Sequence, residues 1–198
     1  VTVSRGLGDV YKRQAKNDVD LRFPNVVKLH NNQLYIADTN NHRIKVVSTE
    51  TYNFGEQIAQ HPVSINSNYR WPVSIEVAGS NWFVMVNDTD MYLSRLLKFD
   101  RDWLAFEEVE LPSHAWLIGM AYYDEALWVS DMENYALYRF DRNGNRLGNF
   151  SSSQWESINQ HSKSERRRLQ AMANNALIAM IVCFALGLGI AYAIEKRA

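Results

Sequence analysis

The chain has 198 residues, 46% apolar and 22% charged, a globular balance with room for one ordinary domain and an appendage. A formal net charge of -1 argues against a nucleic-acid footprint. The single cysteine, Cys183, excludes an intramolecular disulfide and a cysteine-based zinc cluster.

The opening peptide, VTVSRGLGDVYKRQ (residues 1–14), lacks an initiator Met and resembles translated adapter read-through at the ends of metagenomic reading frames. It is set aside as non-native, and the natural protein is expected to continue upstream. The alternative is a genuine basic tail.

From residue 15 to 150 one pattern recurs three times, in blocks of about 20–65, 66–112 and 113–150. Each copy has a short apolar run, a tight turn, and an apolar strand ending in an acid or amide: LYIAD, FVMVN and LWVSD. A polar loop and a third strand follow, RIKVVS, RLLKFD and LYRFD. The end positions are Asp38, Asn87 and Asp131, 49 and then 44 residues apart. A period of 40 to 50 residues with several strands per unit predicts β-propeller blades. A fourth strand fits at LAFEEVEL after the second copy and at LGNF after the third. Aromatic residues make up 12% of the chain, and Trp71, Trp82, Trp103, Trp116 and Trp128 fall in or beside these strands, where most should pack between blades. Trp103 and Trp116 are the candidates for a binding face, where aromatic anchors suit recognition.

Residues 23–47, FPNVVKLHNNQLYIADTNNHRIKVV, resemble an NHL repeat in the Phe-Pro lead-in, the YIADTNNHRI core and the strand that follows. The second and third copies are weaker and lack the His-Arg pair. The resemblance covers residues 20 to about 150 and implies a propeller used for binding. Some related propellers hold a divalent metal in the central channel, for which His30 or Glu76 would be the inner-strand candidates.

Within the first copy, Asp38 should end a buried strand and accept hydrogen bonds from loop N–H groups. Asn40 and Asn41 tolerate turn conformations. Arg43 opens the next strand, placed to pair with Asp38. His42 is read as part of the same scaffold.

Catalytic signatures are not apparent. The five histidines are scattered without HxxxH or HExxH spacing, and no GxSxG elbow or phosphate-binding glycine loop occurs in the repeats. DTNNH and DRNGN resemble the starts of calcium loops, but Asn143-Gly144 reads better as the tip of a β-turn. No cofactor is expected; Ca²⁺ or Zn²⁺ is the alternative.

Residues 151–175 are polar and read as a linker passing, from about Ser162, into a juxtamembrane helix whose Arg166, Arg167 and Arg168 suit anionic headgroups. Residues 176–194, ALIAMIVCFALGLGIAYAI, carry no charge. A helix of that length covers roughly 28 Å, enough for a membrane span. Tyr192 and the basic tail 195–198 mark its far end. Ala185, Gly189 and Ala193 form a small-residue ridge suited to helix pairing. Cys183 reads as an apolar filler. Positive-inside counting, with Lys163 and the three arginines against Lys196 and Arg197, places the large domain in the cytoplasm. An upstream signal or span would reverse that.

The expectation is therefore an all-β partial propeller of about three four-stranded blades followed by a C-terminal transmembrane α-helix. Its expected role is a membrane-anchored scaffold for a protein or small ligand, with lipid contacts through the helix and no nucleic acid. The alternative is a metal-dependent propeller hydrolase or lyase completed by further blades.

Overall fold

A computed structural model describes residues 20–90 and 92–195, with side chains as far as residue 184. The 1–14 peptide lies outside them. The chain divides into two compact units, one up to residue 150 and one from residue 151.

The first unit holds twelve strands: β1 (Pro24–His30), β2 (Gln33–Asp38), β3 (Arg43–Ser48), β4 (Gln57–Pro62), β5 (Tyr69–Ala78), β6 (Asn81–Asp88), β7 (Ser94–Phe99), β8 (Phe106–Val109), β9 (Leu117–Tyr123), β10 (Ala126–Asp131), β11 (Ala136–Phe140) and β12 (Arg146–Asn149). They form three antiparallel sheets of four strands, each in simple chain order. Two-residue turns set the first hairpin of every sheet. Asn31 and Asn32 both take positive φ, at 48° and 58°, as do Asp124 and Glu125, at 51° and 56°. That pair of conformations matches the right-handed twist of the flanking strands. The middle sheet turns through Gly79 and Ser80, and its first hairpin is longer, with strands of ten and eight residues.

Burial explains the apolar run NWFVMVND of β6. Trp82, Val84 and Val86 pack towards the first sheet, with Tyr35, Ala37, Ile44 and Val46 opposite. Phe83 and Met85 pack towards the third sheet, against Leu117, Leu127, Val129 and Phe140. A strand buried on both faces has no polar alternation to show. Strand β5 packs against β1 and β2 on one side and β9 on the other. The first strands of the three sheets therefore converge, and the sheets stack as successive blades.

An aromatic layer joins the first two blades. Trp103 stacks on His61 at 4.4 Å between centroids and tilts against Phe99 at 4.7 Å, while Tyr35 meets Trp82 at 4.0 Å. These rings contribute directional contacts beyond their area burial.

The second unit is one helix, α1 (Ser153–Glu195). It starts well before Ser162. The Ser152 hydroxyl accepts the Trp155 N–H at 3.1 Å, and Glu156 lies in the first turn, so a side-chain cap and a favourable charge fix the helix end there. Leu177, Ile178, Met180, Ile181, Val182 and Phe184 are all at least half exposed. Cys183 is exposed as well. Among the described residues, no helix is long and apolar enough to cross a membrane. The span expected over residues 176–194 runs on through 185–194, whose side chains lie outside the description, as do the Ala185, Gly189 and Ala193 ridge, Tyr192 and the basic tail.

Candidate functional site

The strand-ending acids act as hydrogen-bond hubs. Asp38 is fully buried and accepts the Arg22 N–H at 2.6 Å, the Asn41 amide at 2.7 Å and Arg43 Nε at 2.8 Å. Asp131 repeats the arrangement in the third blade. It accepts the Trp116, Glu133 and Asn134 N–H groups, the Asn134 amide at 2.7 Å and the Tyr138 hydroxyl at 2.8 Å. In both blades one carboxylate ties the lead-in segment, the loop after the second strand and the third strand together. Burial, followed by the bond to Asp131, pushes the Tyr138 phenol well above its ordinary value.

Asn87 sits differently. It shares its side of the sheet with Phe83 and Met85 and faces the third blade, whereas Asp38 and Asp131 lie on the opposite side of their sheets, facing back along the chain order. Asp88 takes that side in the second blade, and it accepts the Tyr92 and Leu93 N–H groups at 2.9 and 3.1 Å. Asn87 instead takes part in a bridge between blades. Ser94 donates its hydroxyl to Asn87 Oδ1 at 2.8 Å and accepts the Leu117 N–H at 2.9 Å. Thr39 bridges the first two blades similarly, donating to the Pro72 carbonyl at 2.7 Å.

The other sequence candidates divide. His42 Nδ1 lies 3.1 Å from the Arg70 carbonyl oxygen, and burial together with the Arg70 charge holds its imidazole below the ordinary value. Burial does the same to His61. His30 meets the edge of Trp82, and Glu76 pairs with Lys28. Among the described residues no three His, Cys, Asp or Glu side chains are grouped to hold a metal. Asp141 closes its own turn, accepting the Asn143 and Asn145 N–H groups at 2.8 Å. Trp103 lies in the aromatic layer.

Trp116 lines a cleft of about 450 Å³ where the inner strands of all three blades meet. Asn25 of β1, Ser74 of β5, Asn87 of β6 and the β9 segment from Leu117 to Met120 complete it. Sequence reading missed Asn25 and Ser74 as site residues. The available signal was slight: a lone serine in the apolar run WPVSIEV. The cleft offers neutral hydrogen-bonding groups beside an indole and apolar walls, which suits recognition better than proton transfer.

Residues 21–47 match the family model described as NHL repeat. The match takes in β1, β2 and most of β3 of the first blade. Among solved structures, the chain with this NHL repeat is similar to a catalytically inactive virginiamycin B lyase from Staphylococcus aureus, solved with quinupristin. The identity is 14% and the TM-score 0.52, over 70% of this chain and 44% of that one. It is also similar to hydrazine synthase from Kuenenia stuttgartiensis, at 14% identity and a TM-score of 0.51, over 71% of this chain and 39% of that one. At such identities the likeness shows the β-propeller-like fold alone. The chain spans less than half the length of either structure. No curated protein matches the sequence.

Proposed function

We propose that this NHL chain is a membrane-anchored binding scaffold whose ligand enters the cleft between the inner strands. One observation carries the reading: Asn25, Ser74, Asn87 and Trp116, drawn from three blades, line one opening, while the buried Asp38 and Asp131 carboxylates are engaged in holding loops. A stack of rigid blades presents such groups with little ordering cost on binding.

For the helix, the uncharged run at residues 176–194 and the exposed apolar side chains up to Phe184 support a lipid anchor. The flanking arginines favour a cytoplasmic propeller, and the Ala185, Gly189 and Ala193 ridge favours a helix-paired dimer.

The test is to screen the purified protein, in detergent, against panels of neutral, acidic and basic peptides and saccharides, beside a Trp116→Ala variant. Ligand retention lost on removing the indole is expected. Stoichiometric Zn²⁺ or Ca²⁺ with chelator-sensitive turnover would instead establish the hydrolase or lyase reading.

A further inference from the structure

We infer that the cleft between the inner strands takes an extended, uncharged stretch of peptide bearing an apolar side chain. The inference rests on the scaffold reading and names its ligand class.

Hydrogen-bond logic fixes what the cleft presents. The Thr39 hydroxyl spends its proton on the Pro72 carbonyl, so its oxygen accepts from the Asn25 amide, whose Nδ2 lies 2.8 Å away. Asn25 is thereby held with Oδ1 available as an acceptor. The Ser94 hydroxyl donates to Asn87 Oδ1, which leaves the Asn87 Nδ2 as a donor. Ser74 adds a hydroxyl that serves either way. One acceptor, one donor and one dual group match the N–H and C=O groups of a peptide backbone.

The floor points the same way. Strand β9 stands first in its sheet, so one edge of its backbone pairs with no strand among the described residues. Gly119 stands at the middle of the segment lining the cleft, so backbone forms part of its floor. An extended peptide can approach such an edge and add backbone hydrogen bonds, as in strand addition. A saccharide has no regular ladder to offer it. No charged side chain lines the cleft among the described residues, so a charge brought in would be desolvated without a partner. Val73 and Ile118 supply apolar wall for one side chain, beside Trp116.

The test uses the full chain in detergent micelles and fluorescence anisotropy. The probes are fluorescein-labelled hexapeptides of Ala, Ser, Val and Leu blocked at both ends, the same peptides with one central Asp or Lys, and labelled maltohexaose. The neutral peptides should bind, and a central charge should weaken binding about tenfold or more. Ser74→Ala should weaken it to a similar degree by removing the hydroxyl that faces the cleft. Asn87→Asp should weaken it too by replacing the donor with an acceptor. Failure of the neutral peptides to bind, or binding that ignores Ser74→Ala, overturns the inference. Maltohexaose bound in their place, and lost with Trp116→Ala, overturns the peptide class and leaves the scaffold standing. Chelator-sensitive turnover removes the scaffold reading itself.

Discussion

The Asp38 carboxylate and the Arg43 guanidinium form a buried ion pair, Arg43 Nε donating to Asp38 Oδ2 at 2.8 Å with side chains 8% and 0% exposed. Arg43 also donates to Gln60 Oε1 at 2.6 Å and to the Asp20 carbonyl at 3.2 Å, so the pair anchors the fourth strand and the lead-in segment as well. Removing one partner strands the other charge away from water. Asp38→Asn should lower unfolding stability by about 3–5 kcal/mol, read from urea denaturation. A loss under 1 kcal/mol would mean that the pair is not a structural keystone.

Between the second and third blades, the Ser94 hydroxyl serves two partners at once. Ser94→Ala deprives the Leu117 N–H of its acceptor and Asn87 Oδ1 of its donor. A buried group left unsatisfied costs about 1–3 kcal/mol. Thermal denaturation should show that loss, with amide exchange fastest at the start of β9. Uniform exchange changes would argue against a local bridge.

Stability should fall on mild acidification. Burial holds the His61 imidazole below its ordinary value, and burial with Arg70 does so for His42. The unfolded chain then binds protons that the fold refuses. This contribution to stability is present above the unfolded value of about 6.5 and is lost as pH drops through the folded values. His61→Phe keeps a ring against Trp103 and removes one titrating group. Its urea midpoint should vary less than the wild type's between pH 7.5 and 5.5; an unchanged slope would clear His61 of any part.

At the alkaline end the sign reverses. The Tyr138 phenol is pushed up by burial and by its bond to Asp131, so its contribution is whole below the unfolded value of about 10 and lost as pH rises towards the folded one. Tyr138→Phe should cost about 1 kcal/mol at neutral pH and flatten the alkaline decline. Ultraviolet difference titration would register one fewer late-ionising tyrosine.

If the exposed apolar stretch of α1 lies in a bilayer, a cation there is costly, about 2.5–3.5 kcal/mol at mid-helix. Val182→Arg should then move much of the protein from the carbonate-resistant membrane pellet to the supernatant. Wild-type protein recovered in the supernatant would defeat the anchor.

The repeat was legible in the chain because strand alternation, turn residues and strand-ending acids are local features. Asn31-Asn32 announces a hairpin, and LYIAD announces a buried strand with a polar stop, whatever surrounds them. The Asp38–Arg43 pairing was legible too, since the two face each other across one β2–β3 register. Asn87 was not. A strand's side-chain period is two, so a slip of one residue changes which neighbour a side chain meets. The β6 run is apolar on both sides, and its own pattern does not say whether Asn87 or Asp88 matches Asp38. Only the blades packed on either side of it decide that. The same holds for the cleft: Asn25, Ser74, Asn87 and Trp116 belong to four separate stretches of sequence, and the convergence of inner strands brings them to one opening. Local chemistry wrote the blades, and the stacking of one blade on the next decided which side chains share a site.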